Sequence, residues 1–176
     1  MSDEPFSLGQ LYGAIEQHIR DAIPDLQYVG TMPHMLQTVA LPAVVIELVE
    51  FEPALDQLTG QTAVQARFEA RVIVAAEQED CEQQAAFGAA QLAVLLRLQT
   101  WGVEVEPAEF VRAGRDWTRP ELDTLAVWAV EWTHVLYLGL EEWPWPNQPP
   151  GTLVFGFSPD TGPGHQGGYQ GPEEMA

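Results

Sequence analysis

The chain reads as an α+β domain, an antiparallel or mixed β-sheet with two main helices packed on one face, plus an extended C-terminal arm. Three observations predict this. Residues 123–140, DTLAVWAVEWTHVLYLGL, alternate in character as the side chains of a strand must. Two other stretches repeat apolar residues at helical spacing. The composition then changes abruptly after Leu140, which divides the chain into a domain at 1–140 and a Trp-, Pro- and Gly-rich linker and arm at 141–176.

Residues 7–23 place Leu8, Leu11, Tyr12, Ile15, Ile19 and Ile23 on one stripe, with Ser7 and Gln10 spaced as a capping box and Pro24 ending the run. Residues 26–32 read as a short strand. Residues 43–51, AVVIELVEF, form a second one, with Val44, Ile46 and Leu48 on one face and Val45, Glu47 and Val49 on the other. The segment PALDQLTGQ at 53–61 carries the Pro and Gly of a hairpin turn. From Thr62 to Ala76, Val64, Ala66, Phe68, Ala70, Val72 and Val74 share a face opposite Gln65, Arg67, Glu69 and Arg71, so the strand starts half-solvated and ends buried on both sides.

Residues 77–100 read as the second helix, with acids at its positive N-terminal end, Asp80 and Gln83 as its cap, an apolar second half that makes it a core helix, and Gly102 as its stop. Residues 103–107 suggest a small strand, and 108–121 read as irregular, gathering Arg112, Arg115 and Arg119. The run at 123–140 reads as a central strand. At ~3.3 Å per residue it would be roughly 50 Å long, which suggests a strand leaving its own core at Leu136–Leu140 toward a partner. Beyond it, EEWPWPNQPPG cannot form a regular helix, residues 152–158 suggest one more strand, and the Gly/Pro-rich end has the composition of a segment that orders against a partner.

The charge balance is extreme: 26 acidic residues against 7 basic ones, all arginine, for a formal charge of −19. Such a surface repels nucleic acid, which argues against direct duplex binding. The single cysteine, Cys81, precludes an internal disulfide and a cysteine-based zinc site, and its acidic neighbours oppose a reactive thiolate. The N-terminus lacks a signal peptide's pattern and no apolar run reaches membrane-spanning length, so the chain is expected to be intracellular when made, with no membrane partner.

No chemistry-bearing motif stands out. His18, His34, His134 and His165 are scattered and read as ordinary solvent or core histidines, His134 as a structural imidazole with one buried partner. The carboxylate pairs Glu50/Glu52 and Glu104/Glu106 read as solvated strand faces, and no calcium loop, phosphate loop or nucleophile elbow is present. No cofactor, metal or catalytic residue is expected. Trp101, Trp128 and Trp132 read as core, whereas Trp143 and Trp145 in the proline-rich linker need a surface to lie on and read as interface anchors or as rings packed onto the same chain.

The succession of an N-terminal amphipathic helix, LPAVVIEL, RFEARVIVA, a helix of the AAxLAxxL kind and the closing AVWAVEWTHVLYL resembles the tail terminator, or tail completion, proteins of Mu-like and related tailed bacteriophages. The ending LVFGFSPDTGPGHQGGYQ is similar to C-termini of that group. The resemblance covers nearly the whole chain through the order of patterns; the acidic charge and the Trp/Pro linker depart from it. It implies a structural virion protein, not an enzyme, found in the tail and neck of the virion and in the host cytoplasm during assembly. The subunit would form a homo-oligomeric ring, a hexamer, that caps the tail tube, joins tail to head through the neck connector, and lets DNA pass without specific binding.

The residues expected at subunit interfaces are Trp143, Trp145, Phe155, Phe157 and Tyr169 as arm contacts, and Arg67, Arg71, Arg112 and Arg115 as ion-pair donors to a neighbouring copy. Other classes fit parts of the sequence: an acidic inhibitor that imitates DNA and occupies a nucleic-acid enzyme, another neck or baseplate structural protein, or a small-molecule enzyme with a pocket beside His134 and Glu131.

Overall fold

A computed structural model describes residues 6–33, 39–119, 122, 124–141, 154–162 and 164–172 of the 176. The chain divides into two compact units, residues 1–143 and 144–176. The first is α+β, with helices α1 (Leu8–Ala22) and α2 (Cys81–Leu95) and strands β1 (Tyr28–Gly30), β2 (Ala43–Pro53), β3 (Thr62–Ala75), β4 (Glu109–Arg115) and β5 (Leu125–Leu138). The five strands form one sheet in the order β1-β2-β3-β5-β4, antiparallel except for the short β1–β2 pair.

Both helices lie on the same face. Leu11, Ile15 and Ile19 of α1 and Ala89 and Leu92 of α2 meet Val44 and Ile46 of β2, Ala66, Phe68, Ala70 and Val72 of β3, and Val130, Trp132 and Leu136 of β5 in one core cluster. Phe68 and Trp132, opposite each other in the β3–β5 ladder, stack with ring centroids 5.6 Å apart. Val45, Ile73, Leu122 and Val127 form a smaller cluster away from the helix-face residues.

The two helix caps expected from sequence do not form. Ser7 and Asp80 occupy the N-cap positions, but neither side chain bonds the helix, and Asp80 sits in the left-handed region at φ 60°. The second helix is shorter than its apolar run because the chain turns at Leu98 and Trp101, both at positive φ, and Gly102, a path that delivers Trp101 into the core. Nor is the apolar run buried along its whole second half: Val94 and Leu98 are exposed, as is Phe87 just before the middle of α2. Residues 103–107 bend rather than pair as a strand, although the Glu106 amide donates to the Val135 carbonyl.

Edge strand β4 lies in the region expected to be irregular. Its alternation is hidden by a bulge between Phe110 and Arg112, which puts two residues where the ladder needs one. A similar irregularity between Leu48 and Glu50 interrupts β2. β5 is internal, as expected, but its length has a local explanation: all 14 of its residues pair with the 14 of β3, including Leu136 to Leu138 opposite Val64 to Thr62. It does not leave the sheet.

In the second unit, the backbone N–H of Phe155 donates to the Gln170 carbonyl at 2.8 Å and that of Gln170 returns the bond at 3.0 Å. Tyr169 lies so close to Gly156 that a Cβ there would sit 2.5 Å from its ring, and its hydroxyl accepts from the Gly162 amide at 2.7 Å. The described part of the arm therefore has local closure of its own, with one isolated bridge where a strand was expected.

Helix α2 packs closely on β3 at Gly88, where a Cβ would lie 2.8 Å from Val72 Cγ1, while Gly13 on α1 has nothing within 4 Å. Gly88→Val should lower stability by about 1–3 kcal/mol through overpacking. Gly13→Ala should raise it by about 0.5–1 kcal/mol through helix propensity. Urea unfolding of the two variants should therefore shift in opposite directions.

Candidate functional site

The face of the sheet turned away from the helices carries a lattice of charges whose geometry follows from strand register. Directly paired residues share a face, so Glu47, Glu69, Glu131 and Arg112 form one row across β2, β3, β5 and β4. Glu50, Arg67, Thr133 and Glu109 form the adjacent row. Three glutamates side by side repel one another, and arginines from this row and its neighbours offset the repulsion.

Arg71 does most of this. It is 2% exposed, and its guanidinium bonds Asp116 Oδ2 at 2.6 Å, Glu69 Oε2 at 2.8 Å and Glu47 Oε2. Arg119 reaches the same Glu47 oxygen at 2.7 Å. Arg112 bonds Glu131 at 2.5 Å, and Arg67 lies 3.5 Å from Glu50, 3.8 Å from Glu52 and 4.0 Å from Glu131. Arg115 points to the other face, pairing with Glu82 of α2 and covering the Trp117 ring at 4.2 Å.

The proton affinities reflect one cation shared among several acids. Burial raises the Glu69 carboxyl; Arg71 opposes this, and the charges of Asp116, Glu131 and Glu47 add to it. Burial also acts to raise Asp116, but hydrogen bonds from the Thr118 side chain and amide and from Arg71 outweigh it, leaving Asp116 below its usual range. Burial works against the Arg71 charge and is overcome by Asp116, Glu69 and Glu47, so Arg71 stays protonated.

Arg67, Arg71, Arg112 and Arg115, expected to pair with a neighbouring copy, thus all pair within the chain, and Arg71 is sealed there. The cause is the acidic excess: every arginine on the sheet has a carboxylate within reach before any partner arrives. Phe155 and Phe157 are exposed, whereas Tyr169 is occupied by Gly156 and Gly162. Trp143 and Trp145 lie outside the described residues.

His134 lies on the helix face, with two partners rather than the one expected. The Trp101 indole N–H, a donor only, points at His134 Nε2 at 2.8 Å, so Nε2 is the acceptor. Nδ1 therefore carries the proton and donates to the Glu106 carbonyl at 2.8 Å. Burial depresses the imidazole's proton affinity, opposed by the Glu106 bond. Glu131, three residues away on β5, faces the opposite side of the sheet, so no pocket joins the two. Among the described residues, no group of three or more His, Cys, Asp or Glu side chains is placed to hold a metal ion.

Two clefts border the lattice. One of about 470 Å³ lies beside β2, between Tyr12, Met32, Leu48, Glu47 and Arg119. The other, about 520 Å³, lies where β5 runs past the start of β4, lined by Leu55, Leu98, Pro107, Val135 and Tyr137. Apolar side chains are exposed nearby, Leu55 at 87% and Leu58 at 79% on the hairpin loop. Sequence reading missed this patch because the loop's Pro and Gly signalled a turn and drew attention from its leucines. Compared with protein-family models and with curated proteins, the chain matches none.

Arg71→Met should destabilise the fold by about 3–5 kcal/mol, since it strands buried carboxylates. Arg71→Lys should not restore it, because an ammonium cannot reach three acids from one plane. Chemical denaturation of both variants checks this. The His134 pair predicts acid sensitivity: the folded imidazole resists protonation while the unfolded one accepts a proton near its ordinary value of 6.5. The unfolded state then binds more protons as pH falls, so stability is full above about pH 6.5 and declines below it. Melting curves at stepped pH should show that decline in the native chain, reduced in His134→Asn.

Proposed function

We propose that the chain is a non-enzymatic assembly subunit, a tail terminator that forms a ring on the tail tube of a tailed bacteriophage and joins it to the neck. The observation that carries this reading is that, among the described residues, no strand pairs with the outer edge of β4 or with the outer edge of β2 beyond its pairing with β1, where the Leu48 amide donates to the Tyr12 hydroxyl, and both edges expose apolar side chains. Phe51 is 46% exposed and Phe110 50%, with Val49 and Val111 beside them. Backbone groups left unpaired at a sheet edge are templates for another chain, and a subunit built to assemble has a use for them.

Charge supports the same reading. A ring of chains each carrying −19 would present an acidic channel through which DNA passes without phosphate contacts that arrest it. The DNA-mimic reading draws less support, because the carboxylates of the sheet face, the Glu47–Glu69–Glu131 row included, are engaged by arginines of the same chain.

Native mass measurement and negative-stain imaging of the purified chain, alone and mixed with tail tubes, test the proposal. A ring, alone or at the tube end, is the expected result; a monomer that tubes also fail to recruit would sink it. Removing residues 141–176 should reduce ring formation and the yield of infectious particles if the C-terminal segment is an arm. Unchanged yield would remove that assignment.

A further inference from the structure

The assembly reading leaves open which surfaces meet, and the two unpaired edges bear on that. β2 is antiparallel to β3, β3 to β5, and β5 to β4, so β4 runs opposite to β2. A second copy set beside the first in the same orientation would therefore bring its β2 against β4 in the antiparallel sense, and the alternation would continue across the junction. The lengths suit each other: β4 has 7 residues, and β2 extends from Ile46 to Pro53 beyond its pairing with β1.

Side-chain chemistry selects a register. The face opposite the helices offers Glu109, Arg112 and Gly114 along β4 and Glu50 and Glu52 along β2. The helix face offers Phe110, Ala113 and Arg115 against Leu48, Phe51 and Pro53. Setting Arg112 opposite Glu52 puts Ala113 opposite Phe51, Phe110 opposite Pro53 and Gly114 opposite Glu50. No like charges then face each other, small residues meet large ones at Ala113/Phe51 and Gly114/Glu50, and Pro53, which has no amide hydrogen to offer, falls one place from the end of the ladder. Shifting β4 by two residues toward β1, the smallest shift that keeps each side chain on its face, would set Glu109 against Glu52. Arg112, with 71% of its side chain accessible, can reach Glu52 while remaining beside Glu131.

We propose that copies of this chain join head to tail through the sheet, the outer edge of β4 in one copy pairing antiparallel with residues 48–54 of the next, Arg112 facing Glu52 and Ala113 facing Phe51. The pairing rests on the assembly reading above and names its contact. Because the two edges differ, the contact is heterologous, and repeated copies propagate in one direction until a ring closes.

Single-cysteine chains in a Cys81→Ser background test it. Ala113→Cys and Phe51→Cys alter exposed positions; mixed and mildly oxidised, they should form a disulfide-linked dimer, while neither should do so alone. Glu109→Cys mixed with Phe51→Cys places the thiols on opposite faces and should not cross-link. In full-length chains, Arg112→Glu should weaken self-association roughly tenfold by placing like charges opposite one another, and Arg112→Glu with Glu52→Arg should restore it. Rings that form without the mixed cross-link, or charge reversal without rescue, would overturn the pairing and leave the assembly reading standing. A chain that stays monomeric even with tail tubes would overturn both.

Discussion

Fourteen residues of β3 face fourteen of β5 without a break in register, and this ladder constrains everything around it. Each side chain on either strand is assigned to one face by its parity, so an apolar residue out of phase would lose the core and a charge out of phase would enter it. Phe68 stacked on Trp132 anchors the helix side, while Glu69 beside Glu131 on the other side brings together two charges that need a third group between them. The helices, the ion lattice and the loop that delivers Trp101 all take their positions from that ladder.

Charge in this molecule is better understood by location than by sum. Arg67, Arg71, Arg112, Arg115 and Arg119, five of the seven arginines, hold carboxylates of the first unit. Most of the net acidity is therefore carried by residues elsewhere, although the sheet face still holds more carboxylates than arginines. Arg71 is the clearest case, since burying it is tolerable only because three acids meet it with good geometry.

The α+β class, both helices, the internal β5, and the two-faced character of β3 were legible because periodicity reports burial directly. β4 was not, because a bulge erases a period of two and Gly114 reads as a turn residue. The ends of α2 were misplaced for a related reason: Asp80, Leu98 and Trp101 adopt positive φ, a backbone state that such residues rarely signal. Of the candidate site, the arginines were identifiable but their partners were not. Which carboxylate lies beside Arg71 depends on the register between β2 and β3 and on a loop 45 residues downstream that brings in Asp116. His134 illustrates the same limit, since its two partners, Trp101 and the Glu106 carbonyl, lie 33 and 28 residues away in sequence.

The irregularities at Leu48/Glu50 and Phe110/Arg112 fall on the two strands with unpaired edges, while the β3–β5 ladder between them is regular. A bulge coils the strand that carries it and spoils the flat, repeating spacing that fibrils need. An arbitrary extended peptide thus meets a surface whose amide spacing it does not match. Edges irregular in this way suppress adventitious strand-to-strand aggregation without needing a covering helix or loop.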